Sequence, residues 1–308
     1  MDRLYMMKVF VAVADAGGFA KAGRDLNLSP PAVTRAVAAL EAELGTSLLI
    51  RTTRSVRLTE AGGRYHADCT RILAEIVEAD EAAAGTHAAP RGILNITASA
   101  LFGRIYVAKI ALEFMERYPD VTINALFVDR IVHMQDEGID VAFRISNLPD
   151  SSLTAARVGS IRRVLFGAPD YFERYGYPQH PSELIQHRIV TSLQPPPFIE
   201  WRFNDKGDDL AVQLKPIMFA NTLDAVIEVA VSGWAIARTL SYQVAPLVEA
   251  GRLVTILRDY EPGPVPIHVV HLEGRRASAK VRAFVDFAVE RLRANDLINP
   301  KRGWKHPP

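Results

Sequence analysis

A chain of 308 residues is too long for one typical domain and suits two or three compact units. With 49% hydrophobic and 23% charged residues and no low-complexity tract, the composition excludes a disordered or fibrous protein. A formal net charge of +1 excludes a global pull towards nucleic acid or anionic membrane, so any polyanion site has to be local, and the single cysteine, Cys69, excludes an internal disulfide framework and a Cys-based zinc cage.

Leu4, Met7, Val9, Phe10, Val11 and Val13 recur at mixed three- and four-residue spacings, which predicts a first amphipathic helix ending at Gly17-Gly18. The apolar run from Val9 to Ala14 is interrupted by Asp15, which makes a poor signal peptide, and no stretch reaches the ~18 apolar residues of a membrane span. Phe19 to Leu26 is rich in small residues and predicts a short second helix that another can cross closely, with Asn27-Leu28 as the turn. Ser29 is a natural N-cap for a third helix, Pro30 and Pro31 suit its first turn, and Gly45 closes it after Leu44.

Within that helix Val33, Val37, Leu40 and Leu44 repeat at 4, 3 and 4 and so face a core. Thr34 and Arg35 lie on the other face, near the end that a helix-turn-helix points at base edges in the major groove. Arg35 suits guanine or phosphate, and Thr34 a thymine methyl or a phosphate. Two β-prone runs follow, Leu48-Leu49-Ile50-Arg51 and Arg54-Ser55-Val56-Arg57-Leu58, joined by Thr52-Thr53 as a hairpin wing. Its three arginines, with no acidic residue between Leu44 and Leu58, make a cationic patch suited to phosphates or a minor groove.

The run LSPPAVTRAVAALEAELGTSLLIRTTRSVRLTEAG resembles the DNA-binding domain of LysR-type transcriptional regulators. AVTRAVAALEAELG, the RTTR wing and the LTEAG exit stand in the family's order and spacing. The resemblance implies that Pro30, Pro31, Thr34 and Arg35 approach bases or their phosphates and that Arg51 and Arg54 are wing contacts; Ser29, opening the same helix, joins this DNA-facing set. Leu49 departs from the phenylalanine common before the wing arginine, which leaves wing packing as the point to check.

Thr59 caps a long helix, with Glu60 in its first turn, that runs to about Ala84 before Gly85 and Pro90 end it. Tyr65, Cys69, Ile72, Ile76, Ala79 and Ala83 recur at 4, 3, 4, 3 and 4, the spacing of a coiled-coil stripe. Either a second copy or the chain's own domain can cover such a stripe. A second copy is expected, because a helix joining two domains has little of its own to pack against. The resembled family implies the same pairing, setting two reading heads on one palindromic site.

Beyond the linker GTHAAPRG, Ile93 to Ala98, Phe102 to Tyr118 and Val121 to Phe127 read as strand, helix, strand, which predicts an α/β domain with helices flanking a mostly parallel sheet. Val141 to Ile145 adds a strand. A second lobe begins near Arg163, with strands at Leu165 to Ala168, Ile189 to Ser192 and Met218 to Asn221 and a helix from Leu223 to Val231; Ile267 to His271 and a helix from Ser278 to Arg293 return to the first lobe. Two crossings between lobes make a cleft. Looser similarity to the family runs through FGR, FMERYPDV, DVAFRI, GRL and KVRAFVDF, and implies a fold like periplasmic binding proteins with an inducer in that cleft.

Polar groups at strand ends mark candidate effector contacts: Ser99, Ala100 and Leu101 at a helix start where free N–H groups favour an anion, and Thr191, Ser192, Asn221 and Thr222 at the equivalent edges of the other lobe. Arg144 and Arg238 end or follow apolar strands and suit either a carboxylate or a structural salt bridge. No GxSxG, HExxH, Walker loop or strand-borne GxGxxG is present, and His268 and His271 fall on opposite faces of a strand, so no catalytic residue, metal or cofactor is expected.

The expected architecture is α/β overall: an all-α winged helix-turn-helix over 1–58, a linker and dimerisation helix over 59–89, and a two-lobed, periplasmic-binding-protein-like effector domain over 90–300. Lobe 1 takes about 90–161 and 266–300, and lobe 2 about 162–265. Expected partners are double-stranded promoter DNA, a small-molecule effector, further copies of the chain in a dimer or tetramer, and RNA polymerase, in the cytoplasm and without a membrane. The alternatives are a small-molecule module whose first helices contact protein, and an enzyme carrying an appended DNA-binding domain.

Overall fold

The computed structural model describes residues 2–51, 56–83, 89–148, 153–192, 198–272 and 277–299, and the chain divides into two compact units, 1–88 and 89–308. In the first, α1 (Arg3–Ala16) starts where the Asp2 carboxylate accepts from Tyr5 N at 3.3 Å and stops at a left-handed Gly17. α2 (Phe19–Asp25) turns into α3 (Pro30–Leu44) through Leu28 N donating to the Gly23 carbonyl at 2.7 Å. A Cβ on Gly23 would lie 2.9 Å from Leu28 O, so this turn needs glycine.

The start of α3 satisfies itself without a side-chain cap. Pro30 and Pro31 lack the N–H groups that a helix start leaves unpaired, and the next two donors, Ala32 N and Val33 N, both reach the Ser29 carbonyl at 2.9 and 3.1 Å. Ser29 thus occupies the N-cap position as expected, but its hydroxyl makes no cap bond. Met6, Val9, Phe10 and Val13 of α1 pack on Val33, Val37 and Leu40 of α3 in the core of this unit.

The wing is a two-stranded antiparallel ribbon of β1 (Leu49–Arg51) and β2 (Val56–Leu58), with Leu49 opposite Leu58. Leu49 is only 6% exposed, so the leucine found in place of phenylalanine is packed. The Glu41 carboxylate accepts from both Leu48 N and Leu49 N, at 2.8 and 3.1 Å, and ties the wing to α3.

Thr59 caps α4 (Glu60–Ala83) by accepting from Gly62 N at 2.8 Å. Here the reading of the long stripe needs correction. Cys69 is fully buried in the unit's own core, Tyr65 and Ile72 pack against the same core, and the Tyr65 ring lies 5.8 Å from that of Phe10. The 4, 3, 4 spacing marks a buried stripe, but α1 covers its first half; a His66–Asp15 contact at 2.8 Å fastens the same two helices.

The second unit opens with β3 (Gly92–Ala98), which leads into α5 (Ala100–Phe102), a π-helical turn at Gly103–Val107 and α6 (Ala108–Arg117). The expected single helix is interrupted where Gly103 abuts Phe127: a Cβ there would fall 2.3 Å from the ring. β4 (Val121–Phe127), β5 (Val141–Ile145) and β6 (Thr154–Ile161) complete this stretch of lobe 1.

Arg162 crosses to lobe 2, which holds β7 (Arg163–Gly167), α7 (Pro169–Tyr175), a 3-10 turn at Pro181–Gln186 and β8 (Val190–Thr191). A hairpin of β9 (Ile199–Asp205) and β10 (Asp208–Leu214) follows, then β11 (Met218–Phe219), α8 (Leu223–Val231), β12 (Ala237–Leu240), α9 (Ser241–Glu249) and β13 (Val254–Ile256). β14 (Val265–His271) and α10 (Ala279–Arg293) return to lobe 1.

The lobe 1 sheet has the order β4-β3-β5-β14-β6. It is mixed rather than mostly parallel: β3 runs parallel to β4 and β5, whereas β14 pairs antiparallel with both β5 and β6. A right-handed helical crossover dictates parallel neighbours, but β14 arrives from the other lobe and carries no such constraint. In lobe 2, β12-β7-β13 is antiparallel and β8 pairs β11 in parallel.

The lobes are joined by more than their two crossings. One hydrophobic cluster runs through both, with Phe102 and Tyr106 of lobe 1 at 5.7 and 5.6 Å from the ring of Tyr242 in lobe 2. The two crossing segments are themselves paired, Arg162 Nη1 lying 3.0 Å from the largely buried Glu261 carboxylate.

Candidate DNA interface and effector cleft

On α3 the burial pattern separates two faces cleanly. Val33, Ala36, Val37 and Leu40 are fully buried, while Ser29, Pro30, Pro31, Thr34 and Arg35 are exposed in one strip at the helix start. Thr34 Oγ1 donates to Pro30 O at 2.9 Å, so its hydroxyl faces outward as an acceptor beside its methyl group. Arg35 has no hydrogen-bond or ion-pair partner among the described residues, leaving its guanidinium available. Arg51 ends β1, Arg57 is exposed on β2, and Arg54 lies outside the described residues.

In the second unit a cavity of about 650 Å³ opens between the lobes. Lobe 1 supplies Thr97, Ser99, Asp129, Arg130 and Arg144; lobe 2 supplies Arg163, Thr191, Ser192, Trp201, Asn221, Arg238 and Gln243. Strand geometry puts them there: β3 and β5 end at the cavity from one side, β7, β8 and β12 from the other. Ser99 Oγ is buried beside Tyr242, whose phenol is pushed up by burial. Thr239 donates to Gln243, which also accepts from Leu240 N at 2.9 Å, so that amide is held in place.

Charge in the cavity is unevenly spent. Arg130 grips Glu137, with Nη1 to Oε1 at 2.8 Å, and holds that carboxyl down at about 2; Arg144 donates to the Val132 carbonyl. Asp129 accepts from Ala100 N at 3.0 Å, filling the helix start that follows Ser99. Arg238 lies over Trp201 with its guanidinium carbon 4.7 Å from the ring centre, and donates to the Arg202 carbonyl at 3.2 Å. Burial, and then the nearby Arg163 cation, lower Arg238 to about 9, still protonated at neutral pH.

Residues 4–63 match the family described as bacterial regulatory helix-turn-helix protein, lysR family, and residues 87–293 match the LysR substrate binding domain. The chain belongs to the LysR family. An HTH-type transcriptional regulator of Xanthomonas campestris pv. campestris (strain 8004) is 36% identical over 289 residues, which is 92% of this chain and 84% of that one. An HTH-type transcriptional repressor of Pseudomonas aeruginosa (strain UCBPP-PA14) is 32% identical over 301 residues, 97% of this chain and 95% of that one. Among solved structures, CrgA, a LysR-type transcriptional regulator from Neisseria meningitidis, matches with a TM-score of 0.60 at 28% identity, covering 96% of this chain and 100% of that chain. Full-length AphB, the Vibrio cholerae virulence activator, matches at 0.59 and 26%, covering 94% and 99%.

As a LysR-type regulator, the chain pairs a DNA-binding domain with a carboxy-terminal domain that takes a small-molecule effector. Of the residues singled out for that second role, Ser99, Arg144, Thr191, Ser192, Asn221 and Arg238 come together on the cavity wall. Ala100, Leu101 and Thr222 do not: the Ala100 N–H is taken by Asp129, Leu101 turns its side chain into the core at 4% exposure, and Thr222 stands outside the wall as the residue before α8. Asp129, Arg163, Trp201 and Gln243 were not legible as site residues. Only Trp201 left a usable signal, the Ile199, Trp201, Phe203 alternation before Lys206-Gly207, which marks the strand of a hairpin.

Among the described residues no group of three or more His, Cys, Asp or Glu is arranged to hold a metal. No described helix is long and apolar enough to cross a membrane.

Proposed function

We propose that this regulator reads duplex promoter DNA with the exposed start of α3, using Ser29, Pro30, Pro31, Thr34 and Arg35, while Arg51 and Arg54 of the wing hold phosphates. The observation that carries this reading is Arg35, an exposed cation without a partner among the described residues, set over the buried Val33, Ala36 and Val37 that fix its helix. A bidentate arginine on guanine contributes about 1–3 kcal/mol of discrimination against the wrong base. Arg35→Ala is expected to abolish specific binding to the chain's own promoter region in a gel shift, with oligomeric state unchanged. Specific binding that survives the substitution would remove Arg35 from this role. Binding through several arginines is also expected to weaken steeply with salt, which a protein contact made by the same helices need not do.

Paired reading heads require a second copy, and beyond the core contacts of Ile72 and Leu73 α4 presents Val77, 42% exposed. The working unit on this reading is a dimer, assembled further into a tetramer, acting in the cytoplasm on promoter DNA and RNA polymerase. No residue is assigned a catalytic part.

The effector occupies the cavity between the lobes and biases how they sit against each other. Tyr242 packing on Phe102 and Tyr106 argues for a small rotation about a shared core, not a wide hinge closure. Arg104 and Asp224, 3.3 Å apart on lobes 1 and 2, form an exposed ion pair that such a rotation would make or break.

A further inference from the structure

We propose that the effector is a small carboxylate carrying a hydroxyl or ammonium group, its acid held by Arg163 and Arg238 on lobe 2 and its donor facing Asp129 on lobe 1. This rests on the reading of the cavity as the effector site.

Some of the cavity's charges are already used. Of the four arginines on the cavity wall, Arg130 is neutralised by Glu137, and Arg144 keeps its charge but donates to the Val132 carbonyl. Arg163 has no hydrogen-bond or ion-pair partner among the described residues, and Arg238 has only the Arg202 carbonyl and the faces of Trp201 and Phe203. The two are neighbours by construction. β12 pairs with β7 so that Arg238 is opposite Leu165 and Leu240 opposite Arg163, which puts both arginines on one face of the sheet as a diagonal pair. Two adjacent guanidinium groups, one of them partly buried, repel each other and have no carboxylate partner among the described residues. A carboxylate supplies one, and it matches the guanidinium fork through parallel N–H bonds.

The facing wall disfavours the reverse orientation at its helix start. A helix start is the usual place for an anion, but at Ala100 it is already filled by the Asp129 carboxylate. Asp129 is exposed to the cavity, so this wall repels a second acid and accepts a hydrogen-bond donor. The cleft therefore offers a pair of guanidinium groups on lobe 2 and, at Asp129, a hydrogen-bond acceptor on lobe 1, within a volume suited to a small metabolite.

The test uses the full chain and measures stabilisation and affinity for malate, 4-hydroxybenzoate and serine, each beside its own amide and its analogue without the hydroxyl. At least one acid is expected to bind, with its amide weaker by about tenfold or more, since only the charged form engages both arginines. Arg163→Gln is expected to weaken that acid about tenfold and leave the amide unchanged. Asp129→Asn is expected to abolish the preference for the hydroxylated acid over its deoxy analogue. Arg238→Lys, which keeps the charge over Trp201 but loses the fork, is likewise expected to weaken that acid and leave the amide unchanged.

The proposal is overturned if acid and amide bind alike, if Arg163→Gln leaves acid affinity unchanged, or if neutral compounds stabilise the protein while no acid does. A cavity-filling Ser192→Trp separates that failure from failure of the site itself. Binding of any compound that Ser192→Trp abolishes keeps the cleft as the effector site, whereas binding that survives it removes the cleft reading together with the proposal.

Discussion

The exposed strip of α3 takes Ser29, Pro30, Pro31, Thr34 and Arg35 from one helix start, whereas the cleft gathers Ser99, Asp129, Arg144, Arg163, Trp201 and Arg238 from segments scattered over more than a hundred residues. The strip is governed by local rules: two prolines, a self-satisfied first turn and a 4, 3, 4 core face aim its side chains outward whatever happens elsewhere in the chain. The cleft exists only while β3, β5, β7 and β12 and the aromatic cluster behind them hold their places. A locally built surface should therefore survive distant damage, and a composite one should not.

The largest expected effect probes the composite side. Phe102 is fully buried and touches the rings of Tyr106 and Phe143 within lobe 1 and of Tyr242 across the lobe boundary. Phe102→Ala is expected to cost about 3–5 kcal/mol in urea unfolding of the carboxy-terminal unit and to impair effector binding. A cost under about 1 kcal/mol would show that the aromatic cluster does not join the lobes. DNA binding by the first unit is expected to persist while the second is destabilised, because the α3 strip draws nothing from it.

A smaller effect should appear on the local side. Glu41→Ala removes the acceptor for Leu48 N and Leu49 N, and is expected to cost about 1–3 kcal/mol, to raise amide exchange at those two residues and to weaken DNA binding. Effector affinity should not change. Unaltered exchange at Leu48 and Leu49 would mean that the wing is held by its leucines alone.

The smallest effect is a pH dependence at the cleft rim. Arg130 holds Glu137 at about 2, below its ordinary 4.5. A depressed carboxyl contributes stability that is present above its unfolded value and is lost as pH falls through its folded one, here between about 4.5 and about 2. Glu137→Gln is expected to flatten the stability profile in that window and to lower stability slightly at neutral pH, where the slope stays unaltered. Because both side chains are exposed, the change is read as a slope in acid titration of the unfolding midpoint, and an identical slope in the variant would discount the pair.

Much of this was legible beforehand, for a physical reason visible in particular elements. The bounds of α3 follow from Pro30 and Gly45, and those of β4, β5 and α8 from apolar runs that end at turn residues. What failed was direction, partner and company. The apolar run of β14 says strand, not antiparallel strand. Tyr65, Cys69 and Ile72 say buried stripe, not buried against α1. β6 and β12 went unread, since residues such as Thr154 to Gly159 and Arg238 to Leu240 carry weak hydrophobic patterning and are held mainly by their neighbours, whereas the β9–β10 hairpin went unread despite its Ile199, Trp201, Phe203 alternation.

The amino-acid sequence by itself determined the helix-turn-helix, its outward-facing Thr34 and Arg35, and the strand-helix alternation of the second unit, because caps, prolines and hydrophobic period act within a few residues of where they stand. Only the tertiary structure decided which arginines are already partnered and which are not. What distinguishes Arg130, Arg144, Arg163 and Arg238 is the Glu137 carboxylate beside the first, the Val132 carbonyl beside the second and the closeness of the last two to each other, which depend on how separate strands are brought to one cavity.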